Sequence, residues 1–377
     1  MTKILLFARD PGGANTIIPL FEPLKRKGYT VSVYGKDIAL ARFSSNNIEA
    51  ADIVSEVGEV SEVSIGKFLA DLRPDFIITG TSADDMTEKY LWKTAESLGI
   101  PSFAILDQWM NYGIRFSSYG VSQIQEYEKD KNFLFLPSKI LVPDDLARRD
   151  SILEGLPEDK ILVSGQPYFG WIKNIQVSDD KIKRLRKDLD INNSDFIVVF
   201  ASEPLQKIYK EEVKSYWGYD EISLFLHFYK TMVEETKITK QNIKIIVKLH
   251  PKEDPDYYLK LKSEIRKDNI EIIIDQVSDP KLLIRVSDLV VGISSMFLLE
   301  SVVLGKPTIS LQIGLKRENP FMLDRIGVLK SIVTKVQLKE VVVKALTRNL
   351  TTSTSLKLVK DPVNKIITLM EKKLCQN

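Results

Sequence analysis

Ile243-Lys244-Ile245-Ile246-Val247-Lys248-Leu249-His250-Pro251 and Ser287-Asp288-Leu289-Val290-Val291-Gly292-Ile293-Ser294-Ser295 are two apolar, β-branched runs, each closing on a polar cluster. Their length and composition predict buried strands. An apolar segment carrying Glu300 follows the second run, and then Gly305-Lys306-Pro307. This order predicts a helix over Phe297–Leu304 and a further strand over Thr308–Leu311. In an open α/β sheet, ligands bind outside the carboxyl ends of the strands, so both polar clusters fall on one rim. A small-molecule site in the second half of the chain is the leading expectation.

The same alternation runs outward in both directions and argues for parallel sheets covered by helices. In the first half, strands are expected at Ile4–Ala8, Tyr29–Tyr34, Phe76–Thr79, Ser102–Leu106, Lys139–Val142 and Lys160–Ser164. Helices are expected between them at Ile17–Lys27, Ile65–Leu72 and Lys89–Leu98, with Arg9–Asn15 as a loop. Gly165-Gln166-Pro167-Tyr168-Phe169-Gly170 reads as a boundary, and a charged helix over Asp179–Leu189 follows. The pattern then restarts with the strand Phe196–Ala201, the helix Ile222–Glu235, the helix Tyr257–Lys267 and the strand Ile270–Ile274. The expectation is an α/β protein of two Rossmann-like parallel-sheet domains, residues 1–165 and 166–361, with an amphipathic helix over Pro362–Lys373.

A chain of 377 residues can bury two cores of ordinary size. Its 44% hydrophobic and 28% charged residues are a normal soluble balance, and a net charge of +2 gives no footprint for nucleic acid. The single cysteine, Cys375, cannot form an internal disulfide, which fits a reducing, cytoplasmic compartment. The first apolar run, Ile4–Ala8, is broken by Arg9-Asp10 and falls short of a signal peptide's ~7–15-residue core. No run approaches the ~20 apolar residues of a membrane span. Peripheral contact with a membrane stays open.

Four clusters carry chemistry. Asp10-Pro11-Gly12-Gly13-Ala14-Asn15 pairs glycines with a helix start, which lets backbone amides approach an anion, although two glycines also suit a plain turn. It lacks the G-x-G-x-x-G and Lys-Ser/Thr patterns of dinucleotide and P-loop sites. Lys248 and His250 project to one side by strand alternation and suit a phosphate, although a histidine here can also merely cap the strand. Ser294 and Ser295 can cap the following helix and bind phosphate, and Glu300 on that helix can take the two hydroxyls of a ribose. Asp10, Asp84, Asp85 and Asp107 all stand at strand ends, where a carboxylate can act as general base toward a hydroxyl. Trp109 and Arg115 lie close behind Asp107. His227 sits mid-helix beside Phe225 and Phe228 and reads as structural, so a metal site is not expected.

Gly165-Gln166-Pro167, Lys248-Leu249-His250-Pro251 and the run from Ser294-Ser295 through Glu300 to Gly305-Lys306-Pro307 together resemble the GT-B glycosyltransferases. Within them the resemblance is to the group of bacterial polysialyltransferases, capsule Kdo transferases, CDP-glycerol glycerophosphotransferases and non-hydrolysing UDP-GlcNAc 2-epimerases. It implies two domains facing a cleft, with the last helix, 362–377, packed back on the first. It also implies an inverting, metal-independent transfer of a sugar from a nucleotide-activated donor to a glycan hydroxyl or lipid-linked acceptor, in surface polysaccharide synthesis, with no cofactor. On that reading Lys248, His250, Pro251, Ser294, Ser295, Glu300, Ser202, Gly12 and Gly13 hold the donor. Asp107 is the first choice of base and Asp10 the second, with His250 acting on the leaving group. Asp84, Asp85, Trp109 and Arg115 meet the acceptor. Two departures separate the chain from its relatives. Asp107-Gln108-Trp109 lacks the histidine of the glycerophosphotransferase corner, and Ser295-Met296-Phe297 replaces the glycine pair of the epimerases. The alternatives are an epimerase-like enzyme, a CDP-polyol phosphotransferase, or a non-catalytic binding partner that has kept the fold.

Overall fold

The computed structural model describes residues 1–174, 178–208, 217–236, 241–265, 269–351 and 359–376. The chain divides into two compact units, Met1–Trp171 with Lys357–Asn377, and Ile172–Leu356. The division falls inside the helix Pro167–Asn174, a little beyond the expected boundary at Gly165.

In the first unit the strands are β1 (Lys3–Ala8), β2 (Thr30–Gly35), β3 (Ala51–Asp52), β4 (Phe76–Thr79), β5 (Ser102–Ile105), β6 (Lys139–Val142) and β7 (Ile161–Val163). They form one sheet in the order β3-β2-β1-β4-β5-β6-β7, with every registered pair parallel. The second unit has β8 (Phe196–Ala201), β9 (Ile243–Lys248), β10 (Ile270–Asp275), β11 (Leu289–Gly292) and β12 (Thr308–Ser310). Its order is β10-β9-β8-β11-β12, again parallel.

Helices cover both faces, which is why the central strands are continuous apolar runs rather than alternating ones. Ile4, Leu6 and Ala8 of β1 pack in one core, while Leu5 and Phe7 pack in another on the opposite face. In β8 the same division separates Val198 and Phe200 from Ile197 and Val199. The terminal helix Pro362–Leu374 belongs to the first unit. Its Ile366, Ile367 and Met370 join the core of Ile17, Leu20 and Leu24, and Glu371 pairs with Lys27 at 2.9 Å. Gly165 makes room for the returning chain: its φ is +86°, and a Cβ there would stand 2.6 Å from Val359 Cβ.

One expected loop is a helix. The segment Pro11–Arg26 is helical from its first residue, so Gly12 and Gly13 lie in the first turn. Proline at the start presets the helical φ and has no amide to lose, which outweighs the glycines' low propensity. The helix expected over Tyr257–Lys267 is found at Pro255–Glu264, and the expected residues 266 and 267 lie outside the described ones.

Candidate functional site

Each sheet reverses its strand order once, and the loops that leave the two strands at that point diverge to open a crevice. In the second unit the reversal lies between β8 and β11. Gly292 lets these strands close up, since a Cβ there would stand 3.0 Å from the carbonyl oxygen of Ala201. Glu203, just past β8, therefore reaches the turn after β11. Its Oε1 accepts from the amides of Ser294 at 2.7 Å and Ser295 at 2.9 Å, and its Oε2 accepts from the Ser294 hydroxyl at 3.0 Å. The amides and hydroxyl expected to hold a phosphate thus hold a carboxylate. Burial pushes the Glu203 carboxyl up, while the bonds from Ser294 and Ser295 act against that. Ser295 is the N-cap of the helix Met296–Val303, but its side chain caps nothing; its hydroxyl is buried without a partner.

Beside this seat, the corner after β9 is built on Glu253. The His250 amide donates to Glu253 Oε2 at 2.7 Å, and the Ser202 hydroxyl donates to Oε1 at 2.6 Å. Gln276 donates to the carbonyls of His250 and Glu253, which closes the corner. His250 Nδ1 accepts from the Lys252 amide at 3.1 Å, so in the neutral ring the proton sits on Nε2. Burial and the nearby Lys252 lower the His250 pKa, which keeps the ring neutral and Nε2 a donor. Pro251 follows in an exposed turn. Lys248 differs from its expected role, because its ammonium is ion-paired with Asp275 at 3.1 Å, the side chains 11% and 4% exposed. Glu300 is buried on the helix Met296–Val303. Ser202, His250, Ser294 and Ser295 thus share a rim through two carboxylates, Glu203 and Glu253. Sequence reasoning passed over both; for Glu203 the signal available was an acid just past a strand.

In the first unit the reversal lies between β1 and β4. Here Gly13 and Gly80 pack backbone to backbone: a Cβ on Gly80 would stand 2.5 Å from Gly13 Cα. Gly12 admits Asp107 in the same way, since its Cβ would stand 1.8 Å from Asp107 Oδ2. The Asp107 carboxylate therefore rests on the first turn of the helix Pro11–Arg26, where the helix dipole favours negative charge. Both glycines admit close neighbours here, a task different from the donor contact expected of them. Arg115 anchors Asp107 from the other side, with Nη1 to Oδ1 at 2.9 Å. The same guanidinium donates to the Thr81 hydroxyl and to the carbonyls of Thr81 and Asn111. At 4% exposure Arg115 is an interior anchor and does not offer its charge to solvent.

The remaining first-unit candidates spread along the rim. Asp10 pairs with Arg9 at 2.7 Å, and Arg9 also meets Asp37. Asp84 is exposed and accepts from the Val121 amide. Burial of Asp85 opposes its ionisation, but Lys36 at 2.5 Å and Thr87 outweigh that and hold its carboxyl below the usual range. Trp109 is buried, donates to Asp144 Oδ2 at 2.7 Å and stacks on Phe169, so it forms a wall. Glu88, which the sequence did not single out, is fully buried beneath this rim. Neither of its oxygens makes a hydrogen bond of normal geometry. Burial first, then Asp85 and Asp10, push its carboxyl up to about 8.

Among the described residues no group of three or more His, Cys, Asp or Glu is placed to hold a metal ion, and no helix is long and apolar enough to cross a membrane.

Residues 213–311 match the family model of alpha-2,8-polysialyltransferase (POLYST). No curated protein matches the chain. The UDP-GlcNAc 2-epimerase of Neisseria meningitidis, solved bound to UDP-GlcNAc, superposes with a TM-score of 0.65 at 16% identity, covering 98% of this chain and 100% of that one. The UDP-GlcNAc 2-epimerase of Methanocaldococcus jannaschii gives a TM-score of 0.65 at 15% identity, covering 98% and 100%. A glycosyltransferase of Rickettsia africae gives 0.55 at 14% identity, covering 100% and 99%. At these identities the likeness is one of fold, and the fold is that of the GT-B proteins: two parallel-sheet α/β domains.

Proposed function

We propose that this protein is a glycosyltransferase that moves a sugar from a nucleotide-activated donor to a glycan hydroxyl. The observation that carries the reading is the anion seat of Ser294 and Ser295, which lies with His250 inside the segment matching the polysialyltransferase family. Amides, a hydroxyl and a neutral imidazole Nε2–H are the donors that take up charge as a phosphate leaves. Glu300, on the helix that starts at this seat, suits the ribose hydroxyls. The base is assigned to Asp107. Its carboxylate, 14% exposed and fixed by Arg115, takes the proton of the acceptor hydroxyl. The freed oxygen forms the new bond at the anomeric carbon while the bond to the donor phosphate breaks, its electron pair passing to the phosphate. Attack opposite the leaving group gives inversion.

Thermal melting of the chain with CMP, CDP, UDP, GDP and dTDP tests the donor half, because a ligand of the folded state raises Tm by mass action. One nucleotide should raise Tm in the wild type and do so less in Ser295→Ala. No shift with any of the five overturns the reading. The full-length likeness to UDP-GlcNAc 2-epimerases supports a second reading, an epimerase-like enzyme. Incubation with UDP-GlcNAc and no acceptor separates the two, since only the epimerase converts it to UDP-ManNAc.

A further inference from the structure

We infer that Glu203 is an affinity- and specificity-determining residue of the donor seat: its carboxylate is an internal competitor that the donor's phosphate must displace from Ser294 and Ser295. The inference rests on the reading of this seat as the phosphate site. Glu203 reaches from the loop after β8 to the turn after β11, at the reversal point where a sheet of this order takes its ligand. Its two oxygens take three donors, two amides and one hydroxyl, which is the contact pattern of a bound anion.

The seat also holds one donor more than Glu203 uses. The Ser295 hydroxyl is buried at the same turn and has no partner. Neither Glu203 oxygen accepts from it where the side chain now sits; a phosphate brings a further oxygen that can. The seat is therefore better filled by a phosphate than by the side chain occupying it. Glu253, a second carboxylate, is raised first by burial, and the charge of Glu203 adds to that. Another carboxylate only exchanges like for like with Glu203, whereas a phosphate gains a contact, so the device selects phosphates over carboxylates.

The test is calorimetric titration of the full chain with the nucleotide that raises Tm most, and with inorganic phosphate and acetate. Three variants accompany the wild type. Glu203→Ala empties the seat, Glu203→Asp keeps the charge on a side chain one methylene shorter, and Glu203→Gln keeps the shape and guards against loss of folding. All three should bind the nucleotide roughly 10- to 100-fold tighter than wild type, the range set by one charge-assisted contact. Acetate should gain affinity in Glu203→Ala while remaining undetected in wild type. If wild type binds the nucleotide and the variants bind it equally or more weakly, Glu203 is a fixed cap of the helix and the inference is overturned. Ser295→Ala still weakening the nucleotide in that case leaves the phosphate-site reading standing. If neither wild type nor Glu203→Ala binds any nucleotide of the panel, that reading falls and takes the inference with it.

Discussion

Glu88 gives the most sharply defined prediction. Its carboxyl is fully buried and is raised from the ordinary 4.5 to about 8, by burial first and then by Asp85 and Asp10. Between those values the native protein carries a proton that the unfolded chain has released. Stability conferred by this protonation is complete below pH 4.5 and is lost as pH rises toward 8, at about 1.4 kcal/mol per pH unit. From pH 5.5 to 7.5 the loss is therefore on the order of 2 to 3 kcal/mol. Glu88→Gln keeps the shape of the protonated acid and removes its titration. Urea unfolding of wild type and variant at both pH values gives the difference of differences, in which the histidines and surface groups common to both cancel. Lys89, the next residue, is lowered to about 8, so it stays mostly charged within this range. Wild type should lose roughly 2 to 3 kcal/mol more than Glu88→Gln over the interval. Equal losses would show that Glu88 is ionised in the native state at neutral pH and refute the reasoning.

The first-unit carboxylates give three more predictions. Asp107→Asn should lower kcat for sugar transfer by roughly 10²- to 10⁴-fold and leave the nucleotide-induced Tm shift intact; a rate within a few-fold of wild type removes Asp107 as the base. Gly12→Ala places a methyl 1.8 Å from the present position of Asp107 Oδ2, so the carboxylate must move. Transfer should fall at least about tenfold with nucleotide affinity unchanged, and full activity would show that the position of Asp107 does not matter. Arg115→Met leaves Asp107 without its partner and should cost about 3 kcal/mol in urea unfolding, whereas a cost near zero contradicts the anchor role.

The sheets were legible because their central strands are buried on both faces, so Phe76–Thr79, Phe196–Ala201 and Leu289–Gly292 stand out as apolar runs. The start of the first helix was not, because paired glycines speak for a loop wherever their neighbours are unknown. Here the neighbours are Gly80 and Asp107, both distant in sequence. The same limit hid Glu203. Its partner Ser294 lies 91 positions away, and only the placing of β8 beside β11 joins them. For Lys248, strand alternation says which side it faces, not which residue the next strand puts opposite. That residue is Asp275, its registered partner on β10.

Both reversal points use one physical device. At each, glycine allows two strand ends or their loops to approach within van der Waals contact: Gly80 against Gly13 in the first unit, Gly292 against Ala201 in the second. Each approach leaves amides or a helix start facing a carboxylate, Asp107 in one and Glu203 in the other. The two carboxylates are then held in opposite ways. Asp107 is tied to the buried cation Arg115, so it stays in place. Glu203 is tied chiefly to neutral amides and a hydroxyl, and Glu253 nearby opposes its charge. A dianionic phosphate can take those same donors, whereas nothing neutral or anionic can take Arg115 from Asp107 without stranding a buried charge. The difference in partner therefore separates a residue built to remain from one built to be replaced.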